Sequence, residues 1–141
     1  MRLTEDDARS RLSAQGHGVL ATLHETRGAD AVPCAYALVG DLVGIPVDTV
    51  KPKASQRLQR ERNLDADPRA TLLVDHWDGE DWSRLWWVRA ELRRVTDPAA
   101  DDVELLGARL AEQFVQYRDR PFTGMLVLRV VGLTGWSAAY L

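Results

Sequence analysis

The residue types best suited to chemistry concentrate in one stretch, Ile45 to Leu64, reading I-P-V-D-T-V-K-P-K-A-S-Q-R-L-Q-R-E-R-N-L. It holds the only two lysines of the chain, Lys51 and Lys53, on either side of Pro52. Arg57, Arg60 and Arg62 follow. The lysines stand where an apolar strand-like run gives way to a basic helical pattern. A helix N-terminus offers unpaired N–H groups and the positive end of a dipole. Two ammonium groups beside it make a place for a phosphate or another anion. The competing reading is a solvated basic helix, since a charged exposed face needs no ligand.

A second constellation is aromatic. Trp77, Trp82, Trp86 and Trp87 are four of the five tryptophans, and they lie beside Asp75, His76, Ser83 and Arg84. Tryptophan fills cores by default. Four so close together among polar neighbours could instead wall a planar ligand or cover a subunit interface. Other chemistries lack their signatures. No G-x-G-x-x-G follows a strand, and there is no P-loop. His17, His24 and His76 are far apart and unpaired with cysteine, so they do not read as zinc ligands. No side-chain nucleophile or metal emerges, and an enzyme of this sequence would depend on a bound organic cofactor.

The elements that must position these residues can be read in order. Thr4 is an N-cap, followed by Glu5, Asp6 and Asp7, and Gly16 closes the first helix. His17 to His24 reads as a strand buried on both faces. Residues 25–28 form a turn, and 31–39 a second strand whose Pro33 marks an edge or bulge. Gly40-Asp41 is a hairpin loop leading to a third strand over 42–47. The basic helix spans 53–64, and the prolines and acids after it end it. Residues 69–77 form a fourth strand. A fifth, 84–95, places Trp86, Val88, Ala90 and Leu92 on one face. Asp97-Pro98 caps a helix carrying Val103, Leu106, Leu110, Phe114 and Tyr117 inward. A last strand covers 125–131. Strands and helices do not alternate, which argues against a doubly wound parallel sheet. A mainly β fold results, a six-stranded antiparallel barrel with peripheral helices.

Composition bounds the partners. At 141 residues the chain is read as one domain spanning 1–141, with a real core. Its net charge of −3 gives no global basic field for nucleic acid. The positive charge is local, which favours a small anionic ligand. No run of apolar residues is long enough to span a membrane, and the first ten residues lack an apolar signal core. The one cysteine, Cys34, cannot form an internal disulfide and reads as a buried inert thiol. A cytoplasmic protein is expected.

The order helix, V-L-A-T-L, an apolar hairpin ending in I-P-V-D, K-P-K-A-S-Q-R-L, and then N-L-D-A-D-P-R-A-T-L-L-V-D resembles the flavin-type split β-barrel proteins. These include the pyridoxamine-5'-phosphate-oxidase-like (PPOX) proteins. The D-H-W-D-G-E-D-W-S-R-L-W-W-V-R-A segment is similar to an actinobacterial PPOX-class subgroup that depends on the deazaflavin coenzyme F420. The resemblance covers roughly residues 5–140. It implies an FMN-binding-type split barrel and a homodimer with two cofactor sites at the interface. The ring would lie against Ala21-Thr22 and Pro33-Cys34-Ala35. The phosphate-bearing tail would reach Lys51, Lys53, Ser55, Gln56 and Arg57. Trp86 or Arg84 would approach the ring, from the second subunit in one version. Pyridoxamine phosphate oxidases proper carry a C-terminal substrate-phosphate motif, whereas this sequence ends in G-W-S-A-A-Y-L, which puts that activity in doubt.

The expected activity is hydride transfer between coenzyme F420 and a small unsaturated organic substrate. His76 and Tyr36 are the candidate proton donors. An FMN-binding oxidase at the same place, and a non-catalytic flavin, deazaflavin or haem carrier, are the alternatives. The residues themselves do not name the substrate.

Overall fold

The structure, a computed structural model, describes residues 1–48 and 58–139. The predicted phosphate residues Lys51, Lys53, Ser55, Gln56 and Arg57 lie outside the described residues. Helix α1 spans Glu5–Gln15. The Thr4 hydroxyl accepts the Asp7 N–H at 3.1 Å, and Gly16 ends the helix in the left-handed region at φ 68°. Strands β1 (His17–His24), β2 (Gly28–Ala35), β3 (Ala37–Val39) and β4 (Leu42–Asp48) follow. Then come α2 (Gln59–Ala66), β5 (Arg69–His76), β6 (Trp86–Arg94), α3 (Ala100–Gln113) and β7 (Phe122–Ser137).

The strands form one antiparallel sheet in the order β2-β1-β5-β6-β7-β4-β3. Its two edge strands, β2 and β3, are separated in sequence by Tyr36 alone. The chain therefore steps from one edge of the sheet to the other within one residue, and the sheet curls into a split barrel. The predicted second strand is broken at this step, which makes seven strands among the described residues against the expected six. Tyr36 holds the step from inside. Its N–H donates to Gly16 O at 2.9 Å and its hydroxyl to Leu12 O at 2.5 Å. Strand β7 is longer than the predicted 125–131. Glu91 pairs with Gly132 and Leu92 with Val130, so Val131 is the extra residue of a bulge. The bulge bends β7 and lets it serve both β6 and β4.

Two apolar clusters hold this frame. Leu20, Ile45, Leu72, Val88, Leu92 and Leu128 fill the barrel, with Leu12 of α1 closing it. Leu106 and Leu110 of α3 cover Ala37 and Val127 on the other side of the sheet. Each fully buried leucine contributes about 1.5–3 kcal/mol relative to exposure.

Three local expectations are corrected. Helix α3 starts at Ala100 with Ala99 as an N-cap that makes no side-chain bond, not at Asp97-Pro98. Asp101 and Asp102 face its positive end instead. Phe114 caps its end and Tyr117 lies beyond, in a short 3₁₀ segment, yet both still pack in its cluster. Strand β1 is not buried on both faces: Leu20 is buried, whereas Val19 and Leu23 are 37% and 38% exposed.

Candidate functional site

The sheet register brings Thr22 opposite Asp30 and Leu20 opposite Val32, so these four side chains share the inner face of the β1–β2 hairpin. The first turn of α2 lies over the open end of that face. Between them is a cavity of about 370 Å³, lined by Thr22, Arg27, Asp30, Val32, Leu58 and Arg60 among others. Leu58, the first residue described after the 49–57 stretch, is the helix N-cap and offers no side-chain acceptor.

One buried amide ties the wall of this cavity together. Asn63 Nδ2 donates to Thr22 Oγ1 and to Asp30 Oδ2, both at 2.9 Å. Its Oδ1 accepts from Gln59 Nε2 at 2.9 Å. The Arg27 guanidinium reaches both oxygens of Asp30, at 3.0 and 2.9 Å. The Asn63 hydrogen bond, followed by the Arg27 contacts, holds the Asp30 carboxyl below its usual range, against the opposing effect of desolvation. Asp30 is thus a spent carboxylate, neutralised by Arg27, rather than an acid facing the cavity.

Arg60 is different. One terminal nitrogen reaches Pro46 O at 3.4 Å, but its Nε is buried with no acceptor among the described residues. A buried unpaired donor costs free energy unless an acceptor arrives. The Arg60 guanidinium with its orphaned Nε, the Thr22 hydroxyl and the apolar Val32 and Leu58 suit a ligand with an anionic end and an apolar body, with Arg27 already paired to Asp30.

The other predicted residues do not converge here. Successive residues of β2 alternate in direction. Cys34 is buried on the inner face, Pro33 is exposed opposite Val19, and Ala35 packs at the margin of the α3 cluster. Ala21 lines a separate cavity of about 360 Å³ on the outer face, with Leu23, Thr71, Glu91, Arg93 and Val131. Trp86 is half-buried against the barrel core, with the Arg11 guanidinium 5.0 Å from its ring centroid. It pairs with His76, whereas Thr22 pairs with Ala70. Six residues of strand put Trp86 about 20 Å from the cavity within one chain. Tyr36 is fully buried, and burial pushes its phenol well above the usual range, so it keeps its proton and donates it in the hydrogen bond to the Leu12 carbonyl. His76 is exposed at the end of β5.

Arg27 and Asp30 of the cavity lining, and Asn63 bonded behind it, did not stand out from sequence as binding residues, whereas Arg60 belongs to the basic stretch that did. Asn63 begins the N-L-D-A-D-P-R-A element, which was the available signal. Arg27 and Asp30 had none, because only strand pairing brings them to α2.

No protein-family model and no curated protein sequence matches the chain. Solved structures do. A FAD-binding protein from Mesorhizobium loti superposes with a TM-score of 0.70 at 16% identity, covering 96% of this chain and 95% of that one. A conserved hypothetical protein from Mycobacterium tuberculosis gives 0.72 at 18% identity, covering 96% and 86%. The heme storage protein of Vibrio cholerae gives 0.64 at 13% identity, covering 94% of each chain. At these identities the likeness establishes the fold, a flavin-type split barrel.

Proposed function

We propose that this protein binds coenzyme F420 and transfers hydride between it and a small unsaturated organic molecule, as a homodimer. The observation that carries the reading is the cationic cavity at the start of α2, with the buried Nε of Arg60 facing no acceptor among the described residues. Arg27 and Arg60 would meet the anionic part of the cofactor, and Lys51, Lys53, Ser55, Gln56 and Arg57 would complete its phosphate contacts. Thr22 would offer its hydroxyl proton while still accepting from Asn63. The bound group supplies the hydride chemistry; the protein supplies placement and charge. Similar folds that carry FAD or heme in other proteins support a planar redox cofactor at this kind of site.

The dimer rests on the outer sheet face. Val19, Leu23, Leu73 and Val131 are 37%, 38%, 42% and 55% exposed. Val19 lies opposite Leu73 across β1 and β5, so the apolar residues form one surface. A second copy would cover it.

The test is a titration of the purified chain with F420, FMN and haem in parallel, followed by isothermal calorimetry. Tight F420 binding with weak FMN binding, weakened by about tenfold or more in both Lys53→Ala and Arg60→Ala, is the expected result. Preferential FMN or haem binding would move the protein to an FMN oxidase or a haem carrier. Binding of none of the three would remove the cofactor reading altogether.

A further inference from the structure

The four tryptophans around the β5–β6 hairpin divide into two pairs. Trp86 and Trp87, on β6, are half-buried, and each has a guanidinium against its ring. Arg11 lies 5.0 Å from the Trp86 centroid and Arg89 5.3 Å from that of Trp87. Trp77 and Trp82, in the connecting loop, are 59% and 66% exposed. Their rings lean on each other at 5.6 Å and 47°, and no cation covers either among the described residues.

The loop that presents them is fixed from within. Asp78 accepts the N–H groups of Glu80 and Asp81 at 3.0 and 3.2 Å. Asp81 accepts the N–H and hydroxyl of Ser83 at 3.1 and 2.6 Å. The Arg84 guanidinium lies 3.7 Å from Asp78, and the Leu85 N–H closes on Trp82 O at 3.2 Å. Ordering these indoles on binding therefore costs little conformational entropy. Paired exposed tryptophans on a rigid turn have the composition of a binding hot spot.

Charge decides what they would bind. Residues 75–84 contain the four carboxylates of Asp75, Asp78, Glu80 and Asp81 against the one guanidinium of Arg84, a net charge of −3. Electron-rich indole faces inside a negative rim favour a cation over an anion or an apolar chain. The two β6 tryptophans already realise that pairing within the chain. The loop is also remote from the cofactor cavity. Thr22 pairs with Ala70, and Trp77 lies seven residues further along, about 23 Å at strand rise.

We propose that the Trp77–Trp82 loop is a docking surface for a basic segment of another protein. An arginine or lysine head seats on the exposed indole faces, and neighbouring basic side chains pair with Asp75 and Glu80. This inference does not depend on the cofactor reading.

Isothermal calorimetry on the full chain tests it. The probe is an octapeptide alternating arginine and glycine, and the comparator alternates glutamate and glycine. Saturable binding of the basic peptide alone is expected, with Trp77→Ala and Trp82→Ala each weakening it about tenfold. Circular dichroism of both variants should match the parent, because the two rings are exposed. Equal binding of both peptides, or no binding of either, would overturn the proposal. So would binding that both tryptophan variants leave intact, since the carboxylates alone would then explain it. Sedimentation of the peptide-free chain supplies the last check: self-association abolished by either tryptophan variant would assign the loop to a second copy instead.

Discussion

At the scale of single residues, Asn63 and Asp67 do different work with polar groups. Asn63 is buried, and its amide satisfies Thr22, Asp30 and Gln59 together. In Asn63→Leu the Thr22 hydroxyl loses its donor inside the protein, and Asp30 Oδ2 keeps only its bond from Arg27. Such a change costs about 1–3 kcal/mol, to be read as a lower urea midpoint at unchanged slope. The Asp30 carboxyl should also titrate closer to the ordinary carboxylate range, which NMR of the side chain would follow. Asp67 sits at the surface, where its carboxylate accepts Arg69 Nε at 3.1 Å and a terminal nitrogen at 2.8 Å. Those hydrogen bonds, together with that of the Arg69 N–H and with the charges of Arg69 and Arg93, pull its pKa down to about 2. A carboxyl depressed on folding stabilises the native state above its unfolded pKa, near 4. That contribution is lost as the pH falls toward 2. In Asp67→Asn the decline of thermal midpoint between pH 4 and pH 2 should therefore be shallower than in the parent.

At the scale of elements, the seam between β2 and β3 depends on one side chain. Tyr36 fixes the step by donating to two carbonyls of the α1 end, those of Leu12 and Gly16. Tyr36→Phe keeps the ring in the core but leaves the Leu12 carbonyl without its hydroxyl partner. The cost should be about 1–2 kcal/mol, measured by chemical denaturation. Cofactor affinity should hold, because Tyr36 does not line the cavity at α2. Helix α3 is held by shape instead. A Cβ on Gly44 would stand 2.9 Å from Leu106 Cβ, so β4 and α3 meet at a distance only glycine allows.

At the scale of the whole molecule, the outer face of β1 and β5 is the feature an isolated chain leaves exposed. Val19 lies between Pro33 and Leu73 across its two neighbouring strands. In the proposed dimer this row is covered, and Val19→Glu would place a carboxylate within it. The dimer dissociation constant should rise by at least about tenfold, by sedimentation equilibrium. Because Val19 is partly exposed in the single chain, the variant should fold with the parent's circular dichroism. A parent that sediments as a monomer at all concentrations would refute the dimer.

Much of the fold was legible in the sequence because it is written in local terms. Thr4 and Gly16 bracket α1 through capping chemistry, and Gly40 with Asp41 turns the β3–β4 hairpin at φ 59°. The alternation from Trp86 to Leu92 sets which face of β6 is buried. Alternation does not report where a strand bends, so the division at Tyr36 was hidden, and the bulge at Val131 left only the signal of Gly132 beside it. Nor can alternation separate a strand buried on two faces from one whose apolar outer face is left uncovered, as in β1. The lysine stretch suggested an anionic ligand by charge alone, and its lysines lie outside the described residues. The lining of the cavity at α2 was set by the β1–β2 register, which brings Arg27, Asp30 and Thr22, distant in sequence from α2, to Asn63 and Arg60. Sequence therefore determined the elements and the kind of charge, because those depend on neighbours along the chain. Only the tertiary structure decided which charges meet, because pairing across strands depends on register and curvature.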